Sequence, residues 1–155
     1  MPKLFLSVVL LILFTCPVVF ANESPVRLRG QVVYVPAYSH VFTGPRSSPY
    51  NLAITLVIRN SDPVQRISIT SIDYYDHNGK LVRSYPVSPQ GIGPLGSTHI
   101  HLEEQDVSGG FAPKFIVRWT ASRPTLKPVI EALMIGATSG QGISFVSPAK
   151  TLQQW

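Results

Sequence analysis

Leu52-Ala53-Ile54-Thr55-Leu56-Val57-Ile58-Arg59-Asn60 decides how this chain folds. Leu52, Ile54, Leu56 and Ile58 share one parity, and Ala53, Thr55, Val57 and Arg59 share the other. A repeat of two puts the first set on a buried face and the second toward solvent, which is a half-buried β-strand. Ser61-Asp62-Pro63 closes the strand as a turn.

Working outward, the same grammar recurs. On the N-terminal side, Gly30 to Tyr38 reads as a strand rich in Val and Tyr, and Pro36 implies an edge position or a bulge. His40 to Pro49 reads as a loop. On the C-terminal side, Arg66 to Asp76 is a long strand. Ile67 and Ile69 have one parity and Ile72 and Tyr74 the other, so a bulge is expected near Thr70-Ser71. Asp76-His77-Asn78-Gly79 is a hairpin turn signalled by Asn-Gly, and Lys80 to Pro86 returns as its partner strand.

Ser97 to Glu104 alternates again, with Thr98, Ile100 and Leu102 inward and His99, His101 and Glu103 outward. Lys114 to Ala121 places Phe115, Val117 and Trp119 on one face. Pro124 to Pro128 reads as a connection. Val129 to Thr138 fits a strand or a short helix; its β-branched surroundings favour the strand. Ile143 to Ser147 reads as the last strand, and Thr151 to Trp155 as a frayed tail. The expected fold is all-β: a two-layer antiparallel β-sandwich, immunoglobulin-like, of about eight strands.

The N-terminus carries a different message. Met1-Pro2-Lys3 precedes an apolar run from Leu4 to Phe20, and Val19-Phe20-Ala21 supplies a small-x-small cleavage site. That is a Sec-type signal peptide over residues 1–21, followed by one domain over residues 22–155. A retained membrane anchor is the alternative, against which stand the short run and Pro17. A lipoprotein acylated on Cys16 would need a smaller residue than Thr15 before the cysteine. The expected location is periplasmic or extracellular, with no stable membrane anchor after cleavage.

The one cysteine leaves with the signal, so the expected mature chain has no disulfide, thiolate ligand or cysteine nucleophile. Basic residues outnumber acidic ones, 13 to 8, for a net charge of +5. They are scattered singly along the sequence, so no nucleic acid partner is expected.

Four blocks in order carry a resemblance. They are Tyr34-Val35-Pro36-Ala37-Tyr38-Ser39, Thr55 to Asn60, Asp73-Tyr74-Tyr75-Asp76-His77-Asn78-Gly79, and Gly109-Gly110 followed by Phe115-Ile116-Val117-Arg118-Trp119. Together they resemble a bacterial family of exported proteins catalogued as domain of unknown function 3124. The resemblance runs from about Gly30 to Ser147 and implies no assigned activity.

The residues offer few chemistries. His99 and His101 stand roughly 7 Å apart on one strand face; with His40 or His77 they could hold Zn or Cu(II), but no third ligand sits at fixed spacing. Asp73 and Asp76 could serve as paired carboxylates or calcium ligands, yet turn chemistry already explains Asp76. Arg59 and Arg118 end apolar strands and call for a carboxylate, Asp106 or Asp73. Gly109 and Gly110 fit a connection that needs positive φ. No catalytic motif occurs, so neither an enzyme nor a cofactor is expected. The expected function is an exported, non-enzymatic binding module for an envelope protein or small ligand. Its candidate site joins Arg59, Asp106, Gly109 and Gly110 with Tyr34 and Tyr38. The alternative is an envelope metal-binding protein using His99 and His101.

Overall fold

The computed structural model describes residues 25–88, 90–138 and 140–155. The expected signal peptide lies outside the described residues, among which no helix is long and apolar enough to cross a membrane.

Eleven strands occur among the described residues: β1 (Arg27–Pro36), β2 (His40–Thr43), β3 (Ser48–Asn51), β4 (Ala53–Arg59), β5 (Ser68–Tyr75), β6 (Leu81–Tyr85), β7 (Ser97–Leu102), β8 (Lys114–Leu126), β9 (Val129–Thr138), β10 (Gln141–Pro148) and β11 (Lys150–Gln154). All pairings are antiparallel. One sheet runs β11-β1-β8-β5-β6, a second β10-β9-β4-β7, and β2 and β3 form a separate hairpin.

The deciding strand behaves as its alternation requires. Leu52, Ile54, Leu56 and Ile58 are buried together with Phe115, Val117 and Trp119 of the facing sheet in one apolar cluster. Met134 and Ala132 of β9 join them, so Val129 to Thr138 is a strand and not a helix. The expected bulge falls at Thr70, where the β5–β8 register shifts between Ile69 and Ser71. At the Asp76–Gly79 turn, Gly79 takes φ 84° and its N–H donates to the Asp76 carbonyl at 3.0 Å.

The count of about eight strands is too low, and the three additional ones have one cause. Each is a strand of only four or five residues. β2 and β3 are four-residue strands inside the segment expected to be a loop, joined across Gly44. β11 is exposed at every residue, yet it pairs with β1 from Gln31 to Tyr34. What holds it is polar: buried Gln31 donates to Thr151 Oγ1 (3.1 Å) and Gln154 Oε1 (3.4 Å) while accepting from Trp119 Nε1 (3.2 Å). The expected frayed tail is therefore a sheet edge. β8 likewise runs through the expected Pro124 connection, because residues 121–124 bulge out opposite Arg29. Pro36 sits at the end of β1, beyond the reach of β11, where its missing N–H costs nothing.

The strand directions define two ends. β4 finishes at Arg59, β1 starts at Arg27, and Asp62 ties this end together by accepting from Arg27 Nη1 at 2.9 Å and from Leu126 N of β8 at 3.0 Å. At the opposite end, Leu52 N donates to the Ser39 carbonyl (2.9 Å) and Ala37 N to the Pro113 carbonyl (3.0 Å).

Candidate functional site

The end of β1 feeds Tyr38, buried Ser39 and His40 directly into the β2–β3 hairpin. Five rings meet there. Tyr38 lies 5.6 Å from Phe111 and 5.8 Å from Phe145; His40 lies 5.3 Å from both Phe42 and Phe111; Phe42 and Phe111 stack at 5.6 Å and 29°. Phe42 is 57% exposed and Phe111 40%. Tyr38, Val41, Phe42, Phe111, Phe145 and Ser147 line a groove of about 520 Å³, and the His40 ring packs against Phe42 and Phe111. Clustered rings left in water are unusual for a chain with this much core available, and they mark a contact surface.

The loop presenting Phe111 is held by the residues flagged in sequence. Asp106 accepts from Ser108 N (3.2 Å) and Ser108 Oγ (2.5 Å), and it pairs with Arg83 at 3.2 Å. Desolvation pushes its carboxyl up, but the Ser108 hydrogen bonds and Arg83 outweigh that and hold it below the ordinary carboxylate value. Gly110 takes φ 66°, and a Cβ there would overlap the His77 ring. Gly109 has a different reason from the one expected. Its φ is not positive; a Cβ would press on the Tyr74 hydroxyl and stand 2.5 Å from Pro113 Cβ. The Tyr74 hydroxyl beneath it is buried without a hydrogen-bond partner, and burial pushes the phenol up.

Ser39 and His40 look like a nucleophile and its base, but the bonding is otherwise. Ser39 is fully buried and its hydroxyl donates to the Gly110 carbonyl. Its oxygen then accepts from His40 Nδ1 at 3.2 Å, which fixes the Nδ1–H tautomer and the tilt of the ring. The pair clamps the Phe111 loop to the end of β1.

The sequence-derived constellation does not assemble as a whole. Asp106, Gly109, Gly110 and Tyr38 come together at this end. Arg59 lies at the other end, paired with Glu131 across β4 and β9, not with Asp106. Tyr34 is separate too: it stands on the outer face of its sheet opposite Ile116, since Val33 and Val35 point inward. Arg118 does take Asp73, at 3.1 Å. His99 and His101 lie on the exposed face of β7, with His101 Nδ1 3.0 Å from Thr55 Oγ1. Among the described residues no three candidate metal ligands come together.

Sequence reasoning missed Phe42, Phe111, Phe145 and His40 as one site. They lie far apart in the chain, and only contact order after folding unites them. The available signal was local: Phe42 and Phe111 sit in segments read as loops, where a ring has no strand neighbours to cover it.

A smaller cavity of about 290 Å³ is lined by Ile69 and Ile72 of β5, Ile100 of β7, and by Val87 and Ile92 of the segment between β6 and β7.

Comparison with known proteins is brief. A family model described as "Protein of unknown function (DUF3124)" matches residues 30–152. No curated protein matches the chain. A solved structure from Thermotoga maritima, "Crystal Structure of Thermotoga maritima 1070", is similar at 13% identity, covering 79% of this chain and 93% of that one, with a TM-score of 0.44.

Proposed function

The chain belongs to this family of unknown function, and from its geometry we propose that it is an exported, non-enzymatic binding module of the cell envelope. The observation that carries the reading is the groove lined by Tyr38, Phe42, Phe111 and Phe145, with the His40 ring packed against Phe42 and Phe111. Its occupant is an apolar or aromatic group, borne by a small ligand or a partner's side chain. Rings supply large contact area at small entropy cost, and His40 and Tyr38 add polar edges that orient what binds. The commitment of the Ser39 hydroxyl to Gly110 supports binding over nucleophilic chemistry. The apolar run from Leu4 to Phe20 supports export.

The finer fold reading belongs with this proposal. β4 beside β7 and β5 beside β8 repeat the B–E and C–F neighbours of an immunoglobulin sandwich, with β6 at the next position outward. β1 and β9 take the two flanking places that strands G and A hold in that fold. Loops at the ends of such a sandwich are where binding collects.

The environment-sensitive dye anilinonaphthalene sulfonate tests the groove. We expect one saturable class of dye site on the folded protein, lost in Phe42→Ser/Phe111→Ser with the melting curve preserved. Dye binding unchanged in that double variant overturns the reading.

A further inference from the structure

The end of the molecule opposite the groove carries a second surface, independent of the first. Six basic residues scattered in sequence converge there: Arg27 and Arg29 on β1, Arg59 at the end of β4, Arg66 before β5, Arg123 on the β8 bulge and Lys127 after β8. The acids that share this end are committed. Asp62 is buried and accepts from Val64 N, Gln65 N, Leu126 N and Arg27; Glu131 takes Arg59. Asp73, Asp76, Glu103, Glu104 and Asp106 all lie toward the aromatic end, so among the described residues this end sets these six basic side chains against Asp62 and Glu131.

Apolar tips stand among these cations. Val26 is 65% exposed, Val64 71%, Leu95 70% and Val129 45%. Val64 and Leu95 belong to touching loops, since Leu95 N donates to the Asp62 carbonyl at 3.1 Å. Leu95 holds φ 54°, a conformation that glycine or asparagine adopts with less strain than leucine.

We propose that this end docks on an anionic phospholipid bilayer surface. The cations attract the headgroup layer over about a Debye length, and the aliphatic tips enter the boundary beneath it. Charge complementarity selects the bilayer: scattered aliphatic tips offer a rigid partner no pocket, whereas a fluid interface accepts them singly. Docked in this way, the protein presents the aromatic groove away from the membrane.

The test is co-sedimentation of the full chain with phosphatidylcholine vesicles, with and without phosphatidylglycerol. The Leu4–Phe20 run is common to every variant, and neutral vesicles measure its contribution. We expect binding to rise with the phosphatidylglycerol fraction and to fall with added salt. Arg29→Glu/Arg123→Glu/Lys127→Glu is expected to weaken the anionic increment by about tenfold or more. Val64→Asp/Leu95→Asp is expected to weaken it as well; aspartate tolerates the Leu95 backbone, so its melting curve holds. Equal binding to neutral and anionic vesicles overturns the proposal. So does an undiminished increment in both variants, or a short DNA duplex that strips the wild type from vesicles while Val64→Asp/Leu95→Asp binds them normally, which would mark a general polyanion patch.

Discussion

The two ends of the molecule handle polar and apolar groups in opposite ways. At the Asp62 end, Asn60 and Asp62 are buried and bonded on several sides, although Thr125 Oγ1 near them is buried without a partner. Asn60 donates to the carbonyls of Gln65 (2.8 Å), Ile92 (3.3 Å) and Gly93 (2.9 Å) and accepts from Asp62 N (3.0 Å). Asp62 in turn gathers three backbone N–H groups and Arg27. At the aromatic end, groups that avoid water stand in it: Phe42 and Phe111 are exposed while Tyr74 lies buried with its hydroxyl unmet. The first arrangement closes loops over the core. The second leaves a surface whose cost is relieved only when something covers it. One end ties its loops through a buried polar knot, and the other presents clustered rings.

That contrast can be broken by mutation. The core sets the scale: Ile54→Ala should cost about 2–5 kcal/mol in urea unfolding. Asp62→Ala should lower the unfolding midpoint as far, because it leaves the N–H groups of Val64, Gln65 and Leu126 and the Arg27 guanidinium without their acceptor. A midpoint near wild type for Asp62→Ala would mean the knot is decoration.

Acid sharpens the same point. Backbone hydrogen bonds from Gln65, Leu126 and Val64 hold the Asp62 carboxyl far below its ordinary value of 3.8. A carboxyl depressed in the folded state contributes stability above its unfolded value and loses it as pH falls. Asp76, lowered by the Lys80 backbone bond, and Asp106 act in the same direction. Melting temperature should hold from neutral pH down to about 5 and drop below about 4. Asp62→Asn should flatten that drop, and an unchanged acid limb would contradict the assignment.

Smaller effects follow. Gly110→Ala forces a side chain into left-handed backbone against His77 and should cost about 1 kcal/mol or more, while also disordering the Phe111 loop. Arg59→Ala removes a half-exposed pair with Glu131 and should change stability by about 1 kcal/mol or less. A fall matching Ile54→Ala would make Arg59 part of the fold's framework.

Sequence alone exposed the elements whose signal is local. Period-two alternation found β4 and β7, the parity switch found the Thr70 bulge, and Asn78-Gly79 found the β5–β6 hairpin. It failed where the cause is tertiary. β11 is polar and exposed throughout, and nothing in Thr151-Leu152-Gln153-Gln154 announces a strand until buried Gln31 supplies its partners. β2 and β3 are too short for a period to show. The candidate site was half legible: Tyr38, Asp106, Gly109 and Gly110 were flagged, but as ligand contacts rather than as the frame that presents Phe111. Arg59 was drawn to Asp106 because Glu131 sits 72 residues away in a segment whose register only the folded sheet reveals.

The most direct test sets the two ends side by side in urea unfolding of Asp62→Ala and Phe42→Ser/Phe111→Ser. The account predicts a large loss for Asp62→Ala and a change within about 1 kcal/mol for the double phenylalanine variant, whose rings are half in water already. A phenylalanine variant that unfolds as early as Asp62→Ala would show the rings to be core, and the groove would not be a binding site.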